Sequence, residues 1–588
     1  MTADKIPIAD YLFQRLAQLG LSHIFGVPGD FNLTLLDHVY VQPDFKWVGF
    51  CNELNAAYAA DGFGRVKRSP AALITTYGVG ELSAINGISG AHAEQVPIIH
   101  IVGTTARPIQ EKQLLIHHVT PGRGLNPPDH KIYAKVSEPF SCATEYLYDV
   151  STAASQIDRV ITEVYKQSLP GYIYIPVDMV NPLVPSNALS VPLPLAPSNE
   201  GILTEADEDA LVDRILNMLY TAKNPVILAD TLAVRHHASE LVKELVDKTQ
   251  MWSFATLLSH GVIDETHPAY VGIYNGLGSH TGIAEAVHGS DLVLNIGPLL
   301  TDSNTGGFTR DIKPENAVLL HPLYVQLKDE PLLEGVHFLP VLAKLVERID
   351  PTKLAPRAPK PVVTIVEDRP GKSDITLAKI VSNVSDYIQP GDVVVAEVGT
   401  VQFASPDLVF KENNEIITQV FYSSIGHALP ASVGAAFALR ELGGGRRVVL
   451  LEGDGSSQMT IQELGTMVRF NLDVTIFLLN NSGYSIERAI WGPDQGYNDI
   501  CPNWKWTQLL ETFGGTEGKT VLSKQVATEK KLREITSDKD GFGKLTIPRL
   551  VEVILDAKDY PWRLEQQIEI MGGKNRDMII EYAATHDV

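Results

Sequence analysis

The chain has 588 residues, which is too long for a single hydrophobic core, so we expect about three domains of ordinary size. Hydrophobic residues make up 44% and charged residues 20%, and no apolar run approaches the roughly 20 residues that span a bilayer. The 70 acidic and 48 basic residues give a net charge of −22, which argues against nucleic acid or an anionic membrane as a partner. Three cysteines without a CxxC spacing predict neither a disulfide framework nor a thiolate metal site, so we expect a cytoplasmic protein.

Two segments have the composition of linkers. Residues 184–201 are rich in Pro, Ser and Asn, and residues 350–373 contain five prolines. Such composition favours extended chain that is not packed into a core. We therefore predict domains over residues 1–185, 200–350 and 370–588, the last with a C-terminal extension.

Short β-branched runs alternate with helical patterns along the whole chain. Strands are predicted over 71–75, 97–103, 225–230, 291–297, 391–397, 446–453 and 473–481, and helices over 81–94, 430–443 and 456–470. Continuously apolar strands that alternate with helices are typical of parallel sheets covered on both faces. We predict an α/β fold of three doubly wound parallel-sheet domains.

A candidate phosphate and metal site follows two of these strands. Asp454 and Gly455 come directly after strand 446–453, and a helix that begins near Ser456 would offer free N–H groups to a phosphate. Strand 473–481 ends in two asparagines, whose oxygens, with a carboxylate and a backbone carbonyl, are ligands that suit Mg²⁺. An acidic turn and an Asn-Gly-type turn would explain each half separately. Together, however, Gly455 and Asn480 are separated by 24 residues, the spacing of the thiamine-diphosphate fingerprint.

The chain resembles the pyruvate decarboxylase family of thiamine-diphosphate-dependent 2-oxo-acid decarboxylases over nearly its whole length. Besides the fingerprint, matching segments are FGVPGDFNLTLLD (25–37), NELNAAYAADGFGR (52–65), TTYGVGELSAINGISGAHAE (75–94), LLIHHV (114–119), AEVGT (396–400), SSIG (423–426) and WGPDQGYND (491–499). The resemblance implies a pyrimidine-binding, a middle and a diphosphate-binding domain, in agreement with the predicted boundaries. It also implies a homo-oligomer, a dimer at least and a tetramer as the expected assembly. In that dimer the pyrimidine domain of one chain meets the diphosphate domain of the other.

The resemblance also assigns cofactor contacts. Matching residues are Glu53, Thr400, Ser423, Ile425, Asp454, Gly455, Ser456, Asn481 and Gly483. Among them, Asp454, Asn481 and the Gly483 carbonyl would bind Mg²⁺. Glu53 would share a proton with a pyrimidine nitrogen, because a carboxyl in an apolar setting has a pKa matched to such a ring. By itself, Glu53 is better explained as an acid in the first turn of a helix, and the matching segment NELNAAYAADGFGR reverses that preference.

Two adjacent histidines, His117 and His118, follow an apolar run. Neighbouring side chains point to opposite faces of a strand and diverge by about 100° on a helix, so we do not expect the pair to ligate one metal. The residues alone leave a structural role open, just as Asp30 could be a turn residue and Glu487 a solvated helix acid. The resemblance implies that Asp30, His117, His118 and Glu487 carry protons and that Glu53 activates the cofactor.

The expected substrate pocket departs from the family pattern. It would be lined by Ser303, Tyr422, Ile486 and Ile490. Ser303 stands where a bulky aromatic residue is common, and Tyr422 with Ser423 replaces a Trp-Gly pair. The segment after the histidines, VTPGRGLNPPDHKIY (119–133), also differs from the usual sequence. We predict that pyruvate is not the sole or best substrate and that larger aliphatic or aromatic 2-oxo acids are accepted.

The predicted reaction is the non-oxidative decarboxylation of a 2-oxo acid to an aldehyde and CO₂, with thiamine diphosphate and Mg²⁺. A carboligase on the same scaffold would transfer the same reactive group to an acceptor carbonyl. A non-catalytic relative that binds the cofactor is a further alternative. Residues 229–237 lack the cysteine that some members use for substrate activation, so we do not expect that form of activation.

Overall fold

A computed structural model describes residues 4–368, 373–491, 494–501 and 503–571. Part of the second predicted linker, two residues of the WGPDQGYND segment and the end of the C-terminal extension lie outside these residues. The described residues contain three large sheets, each within the span of one predicted domain. The three-domain α/β fold is therefore confirmed, whereas the domain boundaries stay a prediction.

The first sheet is parallel throughout. The strands of this region are β1 (Lys5–Pro7), β2 (His23–Gly26), β3 (Lys46–Gly49), β4 (Ala71–Thr76), β5 (Ile98–Thr104), β6 (Ala143–Tyr146), β7 (Gly171–Pro176) and β8 (Leu183–Pro185). The helices are α1 (Ile8–Gln18), α2 (Leu33–Asp37), α3 (Glu53–Lys67), α4 (Val79–Ala93), α5 (Arg107–Glu111), α6 (Ile132–Ser137) and α7 (Val150–Gln167). The sheet has the order β3-β2-β4-β5-β7-β6, and β1 pairs separately with β8. Every residue of β4, β5 and β7 is buried, as expected of strands covered on both faces.

The middle sheet is parallel except at one edge. Its strands are β9 (Pro225–Ala229), β10 (Trp252–Ala255), β11 (Tyr270–Ile273), β12 (Leu292–Ile296), β13 (Ala317–His321), β14 (Tyr324–Leu327) and β15 (Leu333–Glu334). The helices are α8 (Glu205–Thr221), α9 (Thr231–Arg235), α10 (Ser239–Thr249), α11 (Ile283–His288) and α12 (Phe338–Arg348). In the order β11-β10-β9-β12-β13-β14-β15, the last two strands run antiparallel to their neighbours. Only two residues join β13 to β14, too few for a parallel crossover, so a hairpin forms.

The third sheet is again parallel and carries the predicted metal residues at its strand ends. Its strands are β16 (Val393–Ala396), β17 (Glu415–Ile417), β18 (Val448–Gly453), β19 (Val474–Asn480), β20 (Leu522–Val526) and β21 (Arg549–Ile554), in the order β17-β16-β18-β19-β21-β20. The helices are α13 (Leu377–Tyr387), α14 (Thr400–Ala404), α15 (Ala428–Leu442), α16 (Asp454–Thr460), α17 (Glu463–Phe470), α18 (Ser485–Ile490), α19 (Leu509–Thr512), α20 (Glu529–Ser537) and α21 (Trp562–Met571). All seven predicted strands are found, with ends within two residues of those expected. The helix predicted over 456–470 is instead two helices, α16 and α17, which are interrupted at residues 461–462.

The chain divides into two compact units that do not follow the order of the sequence. The first unit comprises residues 1–196, 426–445 and 460–472, and the second comprises the remainder. Helices α15 and α17 of the third region therefore belong to the first unit. Within the parts of the chain that the structure describes, no helix is long and apolar enough to cross a membrane.

Helices α3 and α15 of the first unit cross where each has a glycine. A Cβ atom on Gly434 would lie 1.7 Å from the Ala59 carbonyl oxygen, and one on Gly62 would lie 2.1 Å from the Ala431 carbonyl oxygen. Cβ atoms do not approach backbone oxygens so closely, so the two helices can pack at this distance only because both positions are glycine. Asp61 beside this crossing is fully buried, and its carboxylate pairs with Arg65 at 2.6 Å and with His427 at 2.9 Å.

We expect Gly434→Ala to lower the free energy of unfolding by about 3 kcal/mol, because the new methyl group must push α3 and α15 apart. The measurement is a denaturant unfolding curve followed by circular dichroism. Gly496→Ala is the matched control, since a Cβ atom there would meet nothing closer than 3.9 Å. Equal stability of Gly434→Ala and Gly496→Ala would contradict the close crossing.

Candidate active site

The two adjacent histidines lie in a turn rather than on a strand or helix. His117 Nε2 lies 2.6 Å from Asp30 Oδ2, and His118 Nε2 lies 3.9 Å from Asp30 Oδ1. His118 has a left-handed backbone, with φ 68°, which turns its ring towards the same carboxylate as its neighbour. The premise that the two rings point apart is therefore wrong for this turn, whereas the expectation that they do not ligate one metal stays a prediction. One potential ligand atom from each of Asp30, His117 and His118 lies within 4.8 Å of the other two.

The loop that carries Asp30 is held by its own side chains. It follows β2, and Asn32 accepts a hydrogen bond from the Gly29 N–H at 2.9 Å and donates one to the Val27 carbonyl at 3.1 Å. The ring of Phe31 lies against that of His117, with 4.9 Å between centroids. Three groups that can carry protons thus converge on a supported turn, although all three remain accessible from solvent.

Glu53 is the first residue of α3. The helix begins there because the Asn52 side chain accepts a hydrogen bond from the Asn55 N–H at 2.9 Å. A Cβ atom on Gly80 would lie only 3.0 Å from Glu53 Oε1, so glycine at that position leaves room for the half-buried carboxylate. The position in the first turn fits a helix acid, and the partial burial fits the expected contact with a pyrimidine ring.

Asp454 lies at the carboxyl end of β18 and is fully buried. Burial raises the pKa of Asp454 to about 6, although hydrogen bonds from the N–H groups of Ser482, Gly455 and Gly483 act in the opposite direction. Within the described residues, its Oδ2 atom has no hydrogen-bond partner. A buried carboxylate with an unused oxygen is the kind of group that a cation stabilises.

Asn481 provides the test of whether a cation fits. One end of its amide group faces Asp454 and Gly483. That end lies 3.1 Å from Asp454 Oδ1 and 2.8 Å from the Gly483 carbonyl oxygen, and both of these oxygens accept hydrogen bonds. With the amide oxygen at that end, it would lie about 3 Å from each of the other two oxygens, which is the separation expected of neighbouring octahedral ligands 2.0–2.1 Å from Mg²⁺. The donor set and its spacing therefore fit a magnesium ion.

The turn after Asp454 lies against an aromatic ring. A Cβ atom on Gly455 would lie 2.7 Å from the Tyr484 ring, so this position requires glycine. Ser456 is buried, and its hydroxyl donates to Glu452 Oε1 at 2.7 Å. The Ser456 hydroxyl thus already has an acceptor within the protein.

Two buried acids at these strand ends were missed by the sequence analysis. Glu397 and Glu452 are at most 1% exposed and occupy neighbouring positions of parallel strands, where the Glu397 N–H donates to the Leu451 carbonyl at 3.0 Å. Burial, and then the charge of Glu397, raise the pKa of Glu452 well above its usual range, so that this side chain holds a proton. The sequence does carry a signal for Glu452, because an acidic residue stands within the otherwise apolar run RRVVLLEG.

The predicted pyrimidine contacts other than Glu53 lie in the second unit. Thr400 begins α14, and Ser423 has a left-handed backbone with φ 55°. The turn before Ile425 is held by the Ser424 N–H, which donates to Gln419 Oε1 at 2.8 Å. Ile425 is half-buried. Their contacts with a cofactor stay a prediction.

The predicted pocket residues of the second unit lie on short elements. Ser303 is half-buried in a turn of 3₁₀-helix, and Tyr422 is also half-buried. Ile486, Glu487 and Ile490 lie on α18, with Glu487 and Ile490 exposed.

A buried arginine that the sequence analysis missed ties α18 to the loop after β19. Arg488 is 5% exposed and donates to the Asn481 carbonyl at 3.1 Å and to the Ser482 carbonyl at 2.8 Å. It also pairs with Asp499 at 2.9 Å. Arg488 therefore fixes the backbone immediately after the Asn481 side chain.

We expect Gly455→Ala to weaken the binding of thiamine diphosphate by at least about 10-fold, because the added methyl group would displace the turn or the Tyr484 ring. Isothermal titration calorimetry in the presence of Mg²⁺ measures the affinity. Met459→Ala changes an exposed residue of the same helix and should leave the affinity unchanged. Wild-type affinity in Gly455→Ala would show that the turn does not contact the cofactor.

Known proteins share this architecture along the whole chain. Models of the thiamine pyrophosphate enzyme N-terminal TPP binding domain, central domain and C-terminal TPP binding domain match residues 6–123, 212–330 and 397–546. The chain is 41% identical to pyruvate decarboxylase of Candida glabrata, over 97% of this chain and 99% of the relative. It is 37% identical to a transaminated amino acid decarboxylase of Saccharomyces cerevisiae, over 96% of this chain and 95% of the relative. The chain therefore belongs to the pyruvate decarboxylase family of thiamine-diphosphate-dependent 2-oxo-acid decarboxylases.

Proposed function

We propose that this chain decarboxylates 2-oxo acids larger than pyruvate and releases the corresponding aldehydes. The observation that carries the proposal is the convergence of His117 and His118 on Asp30, with His117 Nε2 2.6 Å from the carboxylate. Aldehyde release requires that a proton be delivered to carbon after CO₂ has left, and two imidazoles beside a carboxylate can hold and pass on that proton. In this proposal Glu487 completes the set of proton carriers.

The cofactor site is proposed from the residues of the third sheet. Asp454, Asn481 and the Gly483 carbonyl would hold Mg²⁺, which in turn binds a diphosphate, and the observed oxygen spacing supports this assignment. When bound, thiamine diphosphate supplies the nucleophilic carbon and the ring that accepts the electron pair released with CO₂. Glu53 would hold a proton at the pyrimidine nitrogen, and Thr400, Ser423 and Ile425 would orient that ring.

Two observations support a substrate with a larger side chain. Ser303 has a small, half-buried side chain, and the family resemblance implies a bulky aromatic residue at this position. The name of the yeast relative, transaminated amino acid decarboxylase, describes an enzyme that acts on 2-oxo acids with amino-acid side chains. A pocket that gains volume at Ser303 would favour such substrates by burying more of their apolar surface.

We expect kcat/KM for branched-chain or aromatic 2-oxo acids to exceed that for pyruvate by about 10-fold or more. The measurement is CO₂ release from a panel of 2-oxo acids with thiamine diphosphate and Mg²⁺, together with identification of the carbonyl product. Free aldehyde supports the decarboxylase. A hydroxyketone formed when an aldehyde is added would favour the carboligase, and no CO₂ from any acid would indicate a non-catalytic relative.

The Ser303→Phe variant tests the source of the preference. We expect it to shift the ratio of kcat/KM values towards pyruvate, because the ring would fill the added volume. Ser382→Phe, at an exposed position on α13, is the matched control and should leave the ratio unchanged. A strict pyruvate preference in the wild type, or an unchanged ratio in Ser303→Phe, would contradict the proposed pocket.

We propose that the enzyme is a dimer at least, with a tetramer as the expected assembly. The first unit exposes large apolar side chains. Among them, the solvent-exposed fraction is 53% for Val79, 63% for Leu115 and 104% for Leu125. Exposed apolar side chains in this number are typical of a surface that another protein covers. The cytoplasmic location stays a prediction.

We expect Asp454→Ala to weaken Mg²⁺-dependent binding of thiamine diphosphate by about 100-fold, because a three-ligand site loses its only charged ligand. Calorimetric titration with Mg²⁺ and with EDTA measures the metal-dependent part. Asp556→Ala removes a carboxylate that follows strand β21 of the same sheet and is the matched control. Unchanged metal dependence in Asp454→Ala would contradict the magnesium assignment.

The same variant tests whether two chains share each active site. Glu53→Gln and Asp454→Ala should each be inactive alone, because one lacks the pyrimidine partner and the other lacks the metal ligand. After random mixing of subunits, a shared site predicts recovery of about a quarter of wild-type activity, since half of the dimers then contain one intact site. No recovery in a mixture shown to exchange subunits would contradict the shared site.

A further inference from the structure

Two buried tyrosines bind the backbone of the histidine turn. The Tyr77 hydroxyl donates to the His117 carbonyl at 2.6 Å, and the Tyr133 hydroxyl donates to the His118 carbonyl at 2.6 Å. Tyr77 is 2% exposed and Tyr133 is 8% exposed. The carbonyl groups of two successive residues are therefore held by side chains from two different elements. Tyr77 follows the end of β4, and Tyr133 lies on α6.

The turn needs such support because of its backbone. His118 has φ 68°, a left-handed conformation that residues with a Cβ atom adopt only when their surroundings hold them there. The direction in which each carbonyl points is set by the same backbone angles that direct the imidazole rings. A hydroxyl that fixes the carbonyl of each histidine thus also fixes the approach of both rings to Asp30.

The tyrosines are themselves held in place. The Tyr77 N–H, at the end of β4, donates to the Gly103 carbonyl at 3.0 Å, and the Phe31 ring packs edge-on against Tyr77 at 4.9 Å. A Cβ atom on Gly78 would lie 2.9 Å from the His118 carbonyl oxygen and 3.0 Å from the Tyr133 ring. Glycine at position 78 therefore lets the turn and the second tyrosine approach each other.

A further chain of hydrogen bonds anchors Tyr133. The Ser137 hydroxyl contacts both the Tyr133 carbonyl at 3.2 Å and Glu81 Oε1 at 2.9 Å, and Glu81 also accepts from the Tyr174 hydroxyl at 2.6 Å. Burial raises the pKa of Tyr77 above its usual range, so its phenol stays a donor over the range in which the enzyme works. Helix α6, which carries Tyr133, is thus tied to α4 beneath the histidines.

We propose that Tyr77 and Tyr133 are positioning residues that hold His117 and His118 facing Asp30 and thereby set the rate of proton delivery. This inference rests on the proposed role of the two histidines in aldehyde release. Tyr133 ends the segment VTPGRGLNPPDHKIY, so the part of the chain that departs from the family sequence retains a contact with the histidine turn. A purely structural role for the two hydroxyls would affect stability and leave proton delivery unchanged.

We expect Tyr77→Phe and Tyr133→Phe each to lower kcat for aldehyde release by about 3–10-fold, and the double variant to lower it further. The substitutions keep the buried rings and remove only the hydroxyls, so folding is expected. The pH profile of kcat should broaden or shift, because the two imidazoles no longer share one defined position beside the carboxylate. The affinity for thiamine diphosphate, measured by calorimetry, should remain that of the wild type.

Tyr11→Phe is the matched control. Tyr11 is a fully buried tyrosine of the same unit whose hydroxyl donates to Asp158 Oδ2 at 2.8 Å, and its loss should lower the melting temperature without changing kcat or the pH profile. If Tyr77→Phe and Tyr133→Phe behave as Tyr11→Phe does, the positioning role is overturned. If the double variant does not fold, the two single variants decide by the same criterion.

His117→Gln separates this inference from the proposed function. Loss of aldehyde release in His117→Gln, together with wild-type kinetics in both tyrosine variants, would overturn the positioning role and leave the proton-carrier role intact. Wild-type aldehyde release in His117→Gln would overturn the proton-carrier role itself, and the positioning role with it. Reduced release in all three variants, with a changed pH profile, supports both.

Discussion

Asp61 is the buried charge on which the packing of the first unit depends. It lies fully buried in α3, where Arg65 of the next turn pairs with its carboxylate. The contact of the same carboxylate with His427 joins the helix that begins at Glu53 to the start of α15. Burial alone would raise the pKa of Asp61, but the neighbouring Arg65 and His427 hold it well below its usual range. Removing one partner of such a pair costs about 3–5 kcal/mol, because the remaining charge stays buried. The glycines at the crossing and this ion pair therefore determine together where the carboxylate of Glu53 lies.

The parallel sheets impose a second constraint. Their central strands are buried on both faces, so the polar groups available for chemistry are found where the strands end. Asp30 follows β2, Asp454 follows β18 and Asn481 follows β19, each at the carboxyl end of its strand. The buried acids Glu397 and Glu452 lie at the same edge, and holding a proton between them avoids the cost of two buried charges.

Much of the fold and part of the site could be predicted because they depend on local patterns. The apolar runs of β4, β5, β18 and β19 identify buried strands, and the spacing between Gly455 and Asn480 matches the thiamine-diphosphate fingerprint. The geometry of the histidine pair could not be predicted in this way. Strand and helix periodicity apply only to regular structure, whereas the pair lies in a turn. The two histidine carbonyls of this turn are held by tyrosines 40 and 15 positions away in sequence.

The sequence by itself determined the α/β class, the family and the residue types available for chemistry, because these follow from short-range composition and spacing. Tertiary structure alone decided three other features. It brought both imidazoles to one carboxylate, assigned α15 and α17 to the first unit, and placed Glu397 beside Glu452. The physical reason is the same in each case. Contacts between residues far apart in sequence depend on how helices and strands pack, and no local pattern records that packing.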